Sequence, residues 1–408
     1  MYLRSRVGML CGLLLGLLTG STSQPVNASV PWVVPGTAGE DVRSVTMVGP
    51  YALVSLRAGM RIYDFSVVSA PELKSSLDLP DRWPADNLVG QFRIVVQDGL
   101  AYVPAWDNGF YVVDISDVSV PVVISQALIG QDVRCVQPFG DVAIIGGSIY
   151  IQGFLVDISD PSMPVMLQPL NMFPGGCFDC EVVDSVLYAA TMQVFAIDLH
   201  NPYSPQVIDT FPLIASCVSL EAQGSYMFAA NFHPTSPTFG VLSYDITNPA
   251  EVQFVGRYGG EGYDFDLTVV NDRAWVASHP FGLYILDESD LSAPSVNWCY
   301  ATDSPGSCIG PGFSYQTFGI TVYDSVALRS ESYAGVLVYP LDARGDVSAD
   351  GAVTSTDIIH LVNVVFKSGA PPADPVESDI NCDDELTAAD VILLVNYVFK
   401  GADVPVCP

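Results

Sequence analysis

Positive charge is scarce in this chain of 408 residues. Lys and Arg number 15 against 45 Asp and Glu, giving a formal charge of −30. So acidic a chain repels phosphate backbones, which argues against a nucleic-acid partner. Histidine is scarcer still, with four in all: His200, His233, His279 and His360. The P-loop, GxSxG and HExxH patterns are absent, and with them the commonest local signatures of nucleotide, acyl-transfer and zinc-protease chemistry. Beyond the N-terminus no run of eighteen apolar residues occurs, so no membrane span is expected. The first 340 residues also lack 3.6-residue periodicity, which argues against stacked helical repeats. Yet hydrophobic residues make up 50% of the chain. That is too many for disorder and enough for two folded domains.

The N-terminus carries Arg4 and Arg6, an apolar run from Val7 to Leu18, then Ser21, Thr22 and Ser23. This order reads as a secretory signal peptide over residues 1–23. Cys11 lies within the apolar run after Gly8-Met9-Leu10, a poor match to a lipid-attachment site. A secreted or cell-surface location is expected.

Residues 24–341 are repetitive. Alternating apolar strands lead to a turn, a glycine-containing loop, and a strand that ends in Asp-Ile-Ser or a close variant. The repeated acids are Asp64, Asp114, Asp157, Asp198, Asp245 and Asp287, spaced 41 to 50 residues apart. Pro71, Pro121, Pro164, Pro205 and Pro294 each follow seven residues after such an Asp. Asp and Ser side chains bond nearby backbone amides, so the repeated Asp reads as a turn device and not a catalytic acid. Proline suits the start of an outer strand, where its missing N–H costs no ladder bond. Units of this length with about four short strands predict propeller blades. A seventh copy, Gly335 to Pro340, lacks its proline-led outer strand. The segment Pro31 to Pro35 is expected to supply it and close the ring. On the Asp-Ile-Ser and proline signature, residues 42–342 resemble the LVIVD repeats of secreted and cell-surface bacterial proteins. The resemblance implies an all-β, seven-bladed propeller.

Residues 342–408 change character. Residues 346–357 read DVSADGAVTSTD, and residues 379–390, offset by 33, read DINCDDELTAAD. Both place oxygen ligands at the spacing of a twelve-residue, EF-hand-like calcium loop. The first set is Asp346, Ser348, Asp350, the carbonyl of Ala352, Thr354 and Asp357. The second is Asp379, Asn381, Asp383, the carbonyl of Glu385, Thr387 and Asp390. Two calcium ions are expected. Gly351 fills the sharp turn of the first loop, whereas the second has Asp384, which takes the left-handed conformation less readily. A helix follows each loop. Ile358, Leu361, Val362, Val365 and Phe366 define one apolar face, and Val391, Leu394, Val395, Val398 and Phe399 the other. No comparable helix precedes either loop. This duplicated loop–helix, at the end of the chain, resembles a type I dockerin domain. The resemblance implies a cohesin partner on a scaffold protein, contacted by loop positions 10 and 11. Those are Ser355-Thr356 and Ala388-Ala389; the alanine pair departs from the family pattern.

Eight cysteines remain past the leader, an even number in a chain read as secreted. Cys382 and Cys407 bracket the second loop and the chain end, and are expected to pair. Cys299 and Cys308 are spaced to close a short loop. Cys177 and Cys180 form a CxxC in a strand pattern, so a structural bridge to Cys135 or Cys217 is expected in place of redox chemistry. His233 and His279 fall in loops of the fifth and sixth repeats, near Trp106 and Asp107 of the second. Unconnected loop residues are the simpler reading there.

The leading expectation is a non-catalytic propeller, a recognition or scaffold surface, docked through calcium loops onto a cohesin-bearing assembly. One alternative is a carbohydrate-active enzyme carried into polysaccharide degradation. Another makes the calcium module purely structural.

Overall fold

Each of the first six repeats becomes four antiparallel strands connected in sequence. The computed structural model describes residues 32–68, 70–80, 92–147, 153–171, 176–212, 217–231, 240–259, 263–270, 273–279, 282–287, 291–292, 294–300, 317–323, 326–340, 345, 347, 353–367, 369, 378–381 and 385–400. Among these, the strands form seven four-stranded sheets. We number the sheets as blades 1–7. Blade 1 runs outward as Val42–Val48, Tyr51–Leu56, Gly59–Asp64 and Glu72–Asp78. The other inner strands are Val95–Gln97, Val133–Phe139, Asp179–Val183, Cys217–Gln223, Tyr263–Val270 and Thr317–Tyr323. The inner strands of blades 2 to 7 pack side by side in order, and that of blade 7 meets that of blade 1. Thr46 of blade 1 donates its hydroxyl to the Ile94 carbonyl, just before the inner strand of blade 2, at 2.8 Å, so the ring closes around an axis.

The core is divided between the blades. Ala52, Val54 and Phe65 of blade 1 pack with Leu328 and Val338 of blade 7. Leu53 and Ile62, on the other face of blade 1, pack with Ala101 and Val113 of blade 2. Successive side chains point to opposite faces of a strand, and both faces are covered here. The middle strands are therefore apolar throughout; all six residues of Val142–Gly147 are buried. Each fully buried Val, Leu or Ile contributes about 1.5–3 kcal/mol.

The repeated sequence signals have repeated structural causes. Asp64, Asp114, Asp157, Asp198 and Asp245 each accept, through Oδ1, the backbone N–H two residues on, at 2.8–2.9 Å. These are Asx turns, and they hold the half-buried acids near the corner between the last two strands. His200 fills the serine slot of this turn, with Nδ1 2.6 Å from Asp198 Oδ1. The glycine that opens the third strand is required by space. At Gly59, where φ is +144°, a Cβ would lie 2.0 Å from the Leu77 carbonyl oxygen.

Ring closure uses the N-terminal segment. Trp32–Val33 pairs antiparallel with Val338 and Leu337 as the outermost strand of blade 7. Thr37 then fixes the segment. Its Oγ1 donates to the Val34 carbonyl at 2.8 Å and accepts from Val336 N–H at 3.0 Å. Tyr63 of blade 1 donates its hydroxyl to the Pro35 carbonyl at 2.9 Å. One segment thus ties the last blade to the first.

Beyond the blades, two helices span Ser355–Lys367 and Ala388–Lys400. Leu361, Leu394, Val347 and Ile380 form a small buried cluster between them. The first and second halves of the expected apolar faces behave differently. Leu361 and Leu394 are buried, but Phe366 and Phe399 are 61% and 67% exposed. The two-helix core is narrow, and the last turn of each helix runs past it.

Candidate functional site

The calcium-loop ends have the same geometry in both copies. Thr354 and Thr387 stand at the helix N-termini. Asp357 Oδ2 accepts Thr354 N–H at 2.7 Å and lies 3.3 Å from Thr354 Oγ1. Thr354 Oγ1 in turn accepts Thr356 N–H at 3.1 Å. Asp390, Thr387 and Ala389 repeat these distances to within 0.1 Å. This is a reciprocal capping box, with Asp where Glu or Gln is usual. It fixes the last carboxylate of each loop. Asp390 Oδ1 also accepts Asn381 N–H at 3.1 Å, which draws the start of the second loop onto its end. Asp357 and Asp390 are fully buried, and Asp379 is 8% exposed. An all-oxygen donor set with buried carboxylates fits a hard cation such as calcium. Asp346, Ser348, Asp350, Gly351, Ala352, Asp383 and Asp384 lie outside the described residues, as do the leader and the Cys382 and Cys407 pair.

A second polar site was not legible as such in the repeat. Arg93, two residues before the inner strand of blade 2, reaches across the axis. Its Nη2 donates to Asp266 Oδ1 of blade 6 at 2.8 Å and lies 3.8 Å from Asp179 Oδ2 of blade 4. Asp266 also accepts from Ser219 Oγ at 2.6 Å and from Ile320 N–H at 2.9 Å. Asp179 accepts Leu220 N–H at 3.0 Å. Two acids therefore knit blades 2, 4, 5, 6 and 7 around one guanidinium. Burial acts to lower the Arg93 pKa, but Asp179, Asp266, Glu221 and Glu181 raise it above the ordinary value. Burial pushes Asp179 up to about 7 and Glu221 up to about 8, with Arg93 opposing both shifts. Glu181 is also raised by burial. The available sequence signal was positional: Ser44, Cys135, Ser219 and Asp266 all follow a bulge at the start of an inner strand. Polar residues recurring there mark the axis.

Comparison with known proteins decides what these parts are. The type I dockerin domain family matches residues 344–399. The LVIVD repeat family matches residues 92–127, 140–171 and 261–302, within or across blades 2, 3 and 6. The chain carries LVIVD repeats and a type I dockerin domain. No curated protein matches it. Among solved structures, it is similar to the WD40 β-propeller domain of Doa1, at 12% identity over 78% of this chain and 97% of that one, with a TM-score of 0.54. The Pan2 WD40 domain of Neurospora crassa matches at 11% identity over 73% of this chain and 88% of that one, with a TM-score of 0.53. The computationally designed Ika8 protein matches at 10% identity over 75% and 98%, with a TM-score of 0.52. At such identities the likeness concerns the fold alone.

Type I dockerin domains typically bind calcium, are typical of extracellular cellulosome components, and imply a cohesin partner. Here the dockerin domain presents Ser355, Thr356, Ala388 and Ala389 as exposed residues in the first turns of its helices. Ile359 and Ile392 are 59% and 62% exposed. Seven residues on from each stand the exposed Phe366 and Phe399. Among the described residues no helix is long and apolar enough to cross a membrane.

The remaining expectations divide. His360 is exposed, as its helix position predicts. Trp106 is drawn into the fold: its backbone N–H donates to the Val133 carbonyl at 3.0 Å, and Arg134 Cζ sits 4.5 Å from its ring centre. Asp107 stays exposed. His233 and Cys308 lie outside the described residues, as do the side chains of His279 and Cys299. Cys177 and Cys180 do meet Cys135, but as three thiols without a disulfide, and Cys217 is a separate buried thiol. Their sulfurs are 3.2–3.7 Å apart, well beyond the roughly 2.05 Å of a disulfide.

Proposed function

We propose that this chain is a secreted, calcium-dependent docking protein. Residues 1–23 direct export, the propeller of residues 24–341 is a non-catalytic recognition or scaffold surface, and residues 342–408 attach it to a cohesin. Two calcium ions order the dockerin loops, one on the Asp346–Asp357 set and one on the Asp379–Asp390 set. The observation that carries this reading is the matched surface of the two helices. Ser355, Thr356, Ile359 and Phe366 on one helix correspond to Ala388, Ala389, Ile392 and Phe399 on the other, and all eight are exposed. Large apolar residues left exposed together mark a protein-binding face. The repeated propeller acids are engaged in Asx turns, which supports a structural role for them.

Calcium-dependent capture of a type I cohesin by the full chain tests the proposal. Asp346→Ala combined with Asp379→Ala should abolish capture, as should a calcium chelator. Calcium binding without capture would leave the module purely structural and refute the docking role.

One observation favours a second reading, a carbohydrate-active enzyme of polysaccharide degradation. Glu181 and Glu221 are carboxyls with raised pKa values near the axis, close enough to Arg93 to feel its charge, and a protonated carboxyl can act as a general acid. Glycan turnover by the purified protein, lost in Glu221→Gln, would establish it.

A further inference from the structure

Three cysteines from two blades converge at one point in the propeller wall. The bulge between Val133 and Cys135 turns the inner strand of blade 3 at this residue. Cys177 and Cys180 flank the start of the inner strand of blade 4. The sulfurs of Cys135 and Cys180 are 3.3 Å apart, those of Cys135 and Cys177 3.7 Å, and those of Cys177 and Cys180 3.2 Å. All three residues are buried, at 6%, 0% and 5% exposure. Val142, Ile144, Leu187 and Ala189 belong to the same apolar cluster. Gly146 makes the room: a Cβ there would lie 2.3 Å from Cys135 Sγ and 2.8 Å from Cys177 Cβ. The adjoining strand is hollowed where the three sulfurs meet.

We propose that Cys135, Cys177 and Cys180 form a three-sulfur site for a single Cu(I) ion, held in the wall between blades 3 and 4. A disulfide accounts for only two of three sulfurs and leaves the third packed against it. A nearly equilateral triangle of sulfurs suits one central ion. An ion about 2.3 Å from each sulfur requires the triangle to open by roughly half an ångström. Thiolates select soft ions such as Cu(I) and zinc. Zinc in structural sites completes a fourth ligand. Among the described residues no His, Asp or Glu ligand atom joins the three sulfurs, and their burial keeps water from serving. Three sulfurs with no fourth His, Cys, Asp or Glu donor among the described residues fit Cu(I). Binding replaces the thiol protons, which leave to solvent, so retention weakens as pH falls. The site is chemically orthogonal to the oxygen loops of the dockerin domain and does not depend on the docking role.

The test uses the full chain, prepared under anaerobic, reducing conditions with calcium present. Cu(I) is supplied as its acetonitrile complex against a chromogenic Cu(I) chelator. One equivalent should be retained by the unaltered protein and by Cys217→Ser, and lost in Cys135→Ser. Bound ion should raise Tm by about 5 °C or more. X-ray absorption on the unaltered protein gives a reading that does not depend on the variant folding. It should find three sulfur neighbours and no nitrogen or oxygen. Failure to retain Cu(I), or retention by folded Cys135→Ser, overturns the proposal. So does preferential zinc binding with a nitrogen or oxygen neighbour. A disulfide among the three cysteines, found by mass spectrometry of protein kept from reductant, overturns it as well.

Discussion

Arg93 and Asp266 join opposite sides of the ring, blade 2 to blade 6, by a hydrogen bond of 2.8 Å. Asp266 is almost fully buried, while Arg93 keeps about a fifth of its side chain exposed. Coulomb attraction across the axis thus adds to the apolar contacts between adjacent blades. It also couples blades that share no strand pairing.

Arg93→Met should therefore destabilise the propeller by about 2–4 kcal/mol, because it strands a buried carboxylate. Arg93→Met with Asp266→Asn should recover part of that loss, since neither charge then remains. Urea midpoints with unchanged slope would measure both effects. An additive loss in the double variant would show that the pair does not interact.

Glu221 imposes a pH dependence of definite sign. Its folded-state pKa is raised from an ordinary 4.5 to about 8 by burial, against the opposing charge of Arg93. The folded protein therefore holds a proton that the unfolded chain releases. Between about pH 4.5 and 8, this group's contribution to stability falls as pH rises, then levels off. Arg93, Glu181, Asp266 and Asp179 act on it electrostatically, and Thr268 Oγ1 lies 3.5 Å from its Oε1. Glu221→Gln removes the titration. The variant should gain stability relative to the parent as pH rises across this window, in melting curves recorded from pH 5 to 8.5.

Thr37 is fully buried and serves both sides of the ring closure. Thr37→Ala should cost about 1–3 kcal/mol by removing the hydroxyl to which the Val336 N–H donates. Thr37→Ser should restore most of it. Deleting residues 24–36 should lower Tm further, because the outermost strand of blade 7 is then lost. Unchanged melting in the deletion would show that the pairing does not stabilise the ring.

Phe366 and Phe399 stand outside the dockerin core, so their replacement should spare the fold. Phe366→Ser with Phe399→Ser should leave calcium binding intact and weaken cohesin affinity by at least about tenfold, as exposed aromatic anchors do. Calorimetry with calcium, and then with cohesin, separates the two effects. Equal losses in both would place the phenylalanines in the calcium module's own packing.

Much of the fold was legible because it is written locally. The Asp-Ile-Ser turns, the glycine at the start of every third strand but that of blade 4, and the alternating apolar strands depend on neighbours in sequence. The threonine and aspartate that end each loop were legible as loop residues, but their capping contacts came only with the structure. Counting these signals yields seven blades and two loop–helix units. Even the closing strand was legible, because one copy visibly lacked its outer member. The apolar faces of the dockerin helices were only half correct. Periodicity marks a stripe, but the width of the partner helix decides how much of it is covered, and Phe366 and Phe399 were left out.

The residues at the axis and between blades were another matter. Arg93 and Asp266 are 173 residues apart, and no local pattern links them. Cys135 reaches Cys177 and Cys180 only because adjacent blades pack face to face. The sequence by itself determined the blades, since short-range hydrogen bonding and strand alternation need no distant partner. Tertiary structure alone decided which charges and sulfurs meet, because closing a ring brings together residues by blade position and not by distance along the chain.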